Sequence, residues 1–323
     1  MDRRSLLQLG AALAATTSCV CRAQAAAQDD TWRDPRRERD VPVRVRWPAG
    51  EAPCALIVHS HGLGGSRDGG DVWGRAWQQA GFAVVHIQHL GSDTEVLKSG
   101  LRALRAAASV EQWRARVADM HFAVDEIERR QRAKAPGWSR VRLDALGASG
   151  HSFGAHTAQA LAGQRFAASS ERATDLRFKA FIAFSPSLGP RLTPAEQFGD
   201  VLRPFLVATG SDDGDPLGGN KSGADRARVY DGLPPGQRAL LWLEHADHMT
   251  FGGNGAQRLR ARWGPLKRER ATAELEPQHQ RRIAAITTLW WRAKLLGDAQ
   301  AAAQLRAPAG LAGLGEGDRW HQD

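Results

Sequence analysis

Gly150-His151-Ser152-Phe153-Gly154 stands between two segments of opposite character. Before it, Ala145 to Ser149 (ALGAS) reads as a short apolar strand, and after it Ala155 to Ala162 (AHTAQALA) reads as a helix. A serine at such a junction can hold a strained turn with its hydroxyl exposed, because the glycines remove side chains that would collide there. This is the pattern of a nucleophile elbow. It has consequences for the rest of the chain, which must supply a base, an acid and donors for an oxyanion.

Working outward, the neighbouring segments read as strands alternating with helices. Cys54 to His59 is continuously apolar until its end, and Phe82 to Ile87, Phe178 to Phe184, Pro204 to Thr209 and Ala239 to Leu243 are further largely apolar runs that read as strands. Uniformly apolar strands suit a mostly parallel sheet covered on both faces. The clearest helix carries Trp113, Val117, Met120, Val124 and Ile127 at i, i+4, i+7, i+11 and i+14, a core-facing stripe, with Ser109 and Gln112 placed for a capping box. Ile283, Ile286, Trp290 and Ala293 mark a last amphipathic helix. Thr94 to Ala108 reads as a helical excursion able to cover the site, residues 28–41 as charged and irregular, and Gly310 to Asp323 as a loosely packed tail. About twenty residues separate Phe178–Phe184 from Pro204–Thr209, which leaves no room for a large cap domain.

The strand ends supply the chemistry. A serine hydroxyl is a weak nucleophile until a base takes its proton and a carboxylate steadies the imidazolium that forms. After Ser152 come an acidic loop, Gly210-Ser211-Asp212-Asp213-Gly214-Asp215-Pro216, and then Glu244-His245-Ala246-Asp247-His248, each following an apolar strand. Asp213 is the favoured acid, with Asp212 and Asp215 as alternatives. His248 is preferred to His245 because it sits farther out from its strand, and His156, one helical turn past the serine, reads as a helix-face residue. An oxyanion hole needs two backbone N–H groups. Phe153, which follows the nucleophile, offers one, and Leu63 in the loop Ser60-His61-Gly62-Leu63-Gly64-Gly65-Ser66 offers the other. That loop lacks the G-K-[ST] ending of a phosphate-binding loop.

Composition and the N-terminus set further bounds. The 323 residues are 42% hydrophobic with a formal charge of +9, enough to form one large α/β domain. Acids are interspersed with the arginines throughout, so the surface reads as solvated rather than as a nucleic-acid footprint. Met1-Asp2-Arg3-Arg4 leads into an apolar run to Val20 and then small residues ending Ala25-Ala26-Ala27, a twin-arginine-type export signal spanning residues 1–27. The run from Leu6 is shorter than the ~20 residues of a membrane span, and Ala15 to Ser18 makes a poor lipobox before Cys19. Removal of the signal leaves residues 28–323 as a single domain in the periplasm or medium, with no stable membrane anchor and with Cys54 as its one cysteine. The histidines show no H-E-x-x-H spacing and there is no C-x-x-C pair, so neither metal nor organic cofactor is expected.

His61-Gly62-Leu63-Gly64 together with Gly150-His151-Ser152-Phe153-Gly154 resembles the platelet-activating-factor acetylhydrolase-like branch of the α/β-hydrolases and the related bacterial "predicted dienelactone hydrolase" group. Gln88-His89-Leu90-Gly91-Ser92-Asp93, Thr209-Gly210-Ser211-Asp212-Asp213 and Ala246-Asp247-His248-Met249-Thr250-Phe251-Gly252-Gly253 are similar to the same bacterial group. The resemblance covers most of residues 53–300. It implies an α/β-hydrolase fold and a Ser152–Asp213–His248 triad. It also implies Leu63 and Phe153 as oxyanion donors, His61, Gly62 and His151 beside the substrate, and cleavage of small or lipid-like carboxylic esters, short-chain or acetyl. True dienelactone hydrolases carry cysteine where this chain has Ser152, and cutinase-like polyester hydrolases carry an aromatic residue where it has Leu63.

Overall fold

The computed structural model describes residues 26–167, 172–216, 218–254, 270–306 and 313–323. The proposed export signal therefore lies outside the described residues up to position 25. Among the described residues nine strands form one sheet in the order β1-β2-β4-β3-β5-β6-β7-β8-β9. Its centre is parallel: β4 (Ala83–Ile87), β3 (Cys54–Ser60), β5 (Val141–His151), β6 (Phe178–Phe184), β7 (Phe205–Asp212) and β8 (Arg238–Asp247). Antiparallel strands close both sides, β1 (Gln28–Asp34) and β2 (Arg39–Arg46) on one and β9 (Arg319–Gln322) on the other.

Alternation along each central strand feeds two cores. In β3, Leu56 and Val58 face a cluster shared with Met120, Val124 and Ile127 of α4 (Val110–Arg132), while Ala55 and Ile57 face Trp73 and Trp77 of α1 (Asp71–Gln79). Burial on both faces explains why these strands are apolar throughout. Ser109 caps α4 by accepting from the Gln112 N–H at 3.1 Å.

Two terminal segments differ from the sequence reading. Residues 28–34, expected to be irregular, form an edge strand whose charges are cross-strand pairs. Asp29 lies opposite Arg44 at 2.7 Å and Arg33 opposite Asp40 at 3.1 Å, and such pairs support a ladder as apolar pairs do. The tail also ends in order, because Trp320 of β9 is buried and donates its indole N–H to the Leu305 carbonyl at 2.8 Å.

Between β6 and β7 the only helix is the five-residue α6 (Pro194–Phe198), so no large cap domain is inserted there. The segment after β4 instead folds as α2 (Thr94–Lys98) and α3 (Leu101–Ala106) at the carboxyl edge of the sheet, where α/β sheets place their ligands. Among the described residues no helix is long and apolar enough to cross a membrane.

Candidate active site

The elbow follows from steric necessity. Ser152 follows β5 and precedes α5 (Phe153–Ala162) with φ 54° and ψ −113°, a conformation costly for a residue with a side chain. It is held by the N–H of Ser152 donating to the Phe184 carbonyl of β6 at 2.9 Å. A Cβ at Gly150 would strike the Gly154 carbonyl, and one at Gly154 would strike the Ser60 carbonyl of β3. The two glycines thus let strand, helix and neighbouring loop converge on the serine.

Beyond β7, the Asp213 carboxylate is fully buried. Its Oδ1 lies 2.8 Å from His248 Nδ1 and its Oδ2 accepts from Thr209 Oγ1 at 2.8 Å. Behind it, Arg226 of α7 (Gly223–Gly232) has Nε 3.0 Å from Oδ1 and donates to the Asp213 carbonyl at 2.8 Å. Burial disfavours the ionised carboxyl, but the His248 hydrogen bond and the Arg226 charge outweigh it and hold the acid below its usual range. An ionised Asp213 accepts a hydrogen bond from the Nδ1–H of His248, leaving Nε2 unprotonated and able to act as a base.

The structure separates the competing candidates. Asp212 instead contacts Ser211 and Thr272 at 2.9 and 3.2 Å, and Asp215 lies on the cavity wall. His245 is exposed, 3.8 Å from Asp212. His151 uses Nε2 to donate to the His248 carbonyl at 2.9 Å, so it steadies the loop that bears His248. Burial pushes its pKa down to about 3 and keeps it neutral. His156, read as a helix-face residue, instead lines the cavity, and burial lowers its pKa to about 3 as well.

A cavity of about 530 Å³ opens onto Ser152 and His248 and is walled by Leu63, Phe153, His61 and Gly62 at one side. Leu97, Leu101 and Leu104 of α2 and α3 form an apolar wall, so the helical excursion after β4 does border the site. Among the described residues no group of His, Cys, Asp and Glu is arranged to hold a metal ion.

Sequence reasoning missed two residues packed against this site, Arg116 and Arg226. Both sit in helices rich in arginine, where each reads as solvated. The signal for Arg116 was its spacing, since Arg116, Met120, Ala123 and Ile127 fall at i, i+4, i+7 and i+11 on one face, and all four are buried.

A parallel sheet with a strained serine between β5 and α5, and an acid and a histidine beyond β7 and β8, gives the chain the α/β-hydrolase fold. No family model and no curated protein matches the sequence. Among solved structures the chain is similar to a dienelactone hydrolase from Anabaena variabilis ATCC 29413, at 19% identity and a TM-score of 0.53 over 83% of this chain and 99% of that one. At that identity the likeness is one of fold.

Proposed function

We propose that the protein is an exported serine hydrolase that cleaves carboxylic esters of short acyl or acetyl type. The observation that carries this reading is the joint placement of Ser152, on a positive-φ elbow, and His248, bonded to buried Asp213, on one cavity. Ser152 Oγ attacks the ester carbonyl carbon while His248 Nε2 takes its proton and Asp213 stabilises the imidazolium. The carbonyl oxygen becomes an oxyanion, received by the N–H groups of Leu63 and Phe153, each worth roughly 3 kcal/mol to the transition state. The C–O bond breaks, His248 returns the proton to the departing alcohol, and a water activated by the same histidine releases the acid from Ser152.

The apolar leucine wall supports an alkyl or acyl arm, and no step calls for a metal or organic cofactor. Export to the periplasm or medium rests on the sequence of residues 1–27. A chain-length series of p-nitrophenyl esters beside matched acyl-amides and thioesters tests the choice of bond. Faster turnover of the short esters is expected, and faster amide or thioester cleavage would overturn it. A silent binding protein would turn over none of them.

A further inference from the structure

Arg116 of α4 is fully buried, and its partners are unusual for a buried cation. Nη1 donates to Ser92 Oγ at 2.9 Å, Nη2 donates to Ser60 Oγ at 3.1 Å and to the His61 carbonyl, and Nε approaches Thr157 Oγ1 at 3.4 Å. The guanidinium also lies over the Phe153 ring, 4.7 Å from its centroid. These contacts are hydroxyls, a carbonyl and a ring, with no carboxylate in hydrogen-bond reach among the described residues. The nearby Asp119 is already engaged by Arg37 at 2.8 Å, Arg39 at 2.9 Å and His89 at 3.0 Å. Burying a guanidinium without a directly bonded anion is costly, and burial duly drives its pKa below the ordinary arginine range.

The partners show what that cost secures. Ser60 and His61 begin the loop that carries Leu63, and the Ser92 carbonyl accepts from Gly64 N–H in the same loop at 2.8 Å. Phe153 and Thr157 belong to the first turns of α5. One side chain therefore touches both segments that bear the two N–H groups.

His61 fixes the first donor more closely. Its Nε2 accepts from the His89 N–H at 3.0 Å, so Nδ1 carries the proton and donates to the Gly62 carbonyl at 2.6 Å. Gly65 N–H donates to that same carbonyl at 3.0 Å. The Gly62–Leu63 peptide is planar and trans, so pinning its C=O also pins the Leu63 N–H on the opposite side. Behind this lies a buried chain from Ser60 Oγ to His89 Nε2 at 2.9 Å and from His89 Nδ1 to Asp119 Oδ2 at 3.0 Å. It has the atoms of a Ser-His-Asp relay, but Ser60 is fully buried and does not border the cavity. Its hydroxyl is spent on receiving Arg116.

We propose that Arg116 is the positioning residue of the oxyanion hole, a buried cationic tie that sets the Leu63 and Phe153 N–H groups relative to one another without touching substrate. The inference rests on the serine-hydrolase reading above. Because Asp119 keeps Arg37, Arg39 and His89, and the nearby Asp93 keeps its hydrogen bonds from Gln88 Nε2 and the Glu95 N–H at 2.7 and 3.3 Å, Arg116→Met strips no carboxylate of a hydrogen-bonded partner, and Arg116→Lys keeps the charge while losing the fork.

The test measures kcat and KM on a short p-nitrophenyl ester, and the inhibition constant of an alkylboronic acid, whose tetrahedral adduct on Ser152 places an oxygen in the hole. Arg116→Met should lower kcat by about 10- to 100-fold with KM within about twofold, and weaken the boronate in step with kcat/KM. Arg116→Lys should recover part of both. A folded Arg116→Met with wild-type kcat and boronate affinity would overturn the assignment, as would a kcat loss with the boronate unmoved. If Arg116→Met does not fold, Ser92→Ala, which removes one tie, should show a several-fold loss with the same boronate shift, and no shift there also overturns it. Wild-type protein that a fluorophosphonate does not label on Ser152 would break the underlying reading, whereas labelled wild type with indifferent variants breaks only the role of Arg116.

Discussion

Two buried arginines stand on opposite sides of Ser152, and they are held in different ways. Arg226 backs the acid loop: it lies 3.0 Å from the Asp213 carboxylate and also donates to the Ser185, Pro186 and Gly214 carbonyls at 3.0, 3.2 and 3.1 Å. Arg116 backs the proposed oxyanion side, the loop of Leu63 and the start of α5, and donates to neutral groups alone. On the first side charge meets charge, so removing the cation strands a buried anion. On the second the cation orders neutral backbone, so its removal loosens geometry. The first loss belongs to stability and acid–base behaviour, the second to rate.

The comparison has meaning only if the site between the two arginines performs the chemistry. Ser152→Ala and His248→Ala should each lower kcat on the order of 10⁴-fold or more, with circular dichroism unchanged, measured on a short p-nitrophenyl ester. Asp213→Asn should lower it by about 10²- to 10⁴-fold by leaving His248 in the wrong tautomer, while Asp212→Asn stays within about twofold. The reverse pattern would move the acid.

Breaking the ion-paired side should register as stability. Arg226→Met is expected to cost about 3–5 kcal/mol, the penalty for leaving one partner of a buried pair, read from the urea midpoint. Equal stability losses in Arg226→Met and Arg116→Met, with equal kinetics, would erase the distinction between the two sides.

A further expected effect concerns pH. Burial lowers the pKa of His86 and of His89 to about 4, against an ordinary value of about 6.5. On unfolding these rings take up protons over that interval, so the unfolded state gains as pH falls through it. Stability should be complete above about pH 6.5 and decline towards pH 4. The depressed Asp213 carboxyl adds a further loss as pH falls below about 3.9. A urea midpoint constant between pH 7 and 4 would contradict this.

Much of the sheet and its strand ends could be read from the chain because parallel strands buried on both faces leave uniform apolar runs, and because glycines mark the elbow. Order along the chain was enough to place Ser152, Asp213 and His248 at one edge. The edge strands β1 and β9 were not legible. Their stability comes from cross-strand charge pairs and from one buried tryptophan in each, Trp32 in β1 and Trp320 in β9, and neither produces an apolar run. Arg116 was hidden for a related reason: its identity signals solvent, and only its helical phase relative to Met120 and Ile127 places it inside. The motif Gln88 to Asp93 was visible as a resemblance, and the structure gives it a physical meaning. His89 supplies the N–H that sets the His61 tautomer, and Ser92 links the Leu63 loop to Arg116.

The most direct measurement of the central claim is intact-protein and peptide mass spectrometry after treatment with a fluorophosphonate. A single adduct on the peptide bearing Ser152, slowed strongly in His248→Ala and absent in Ser152→Ala, is the predicted result. An unlabelled folded wild type, or an adduct carried by another serine, would contradict it.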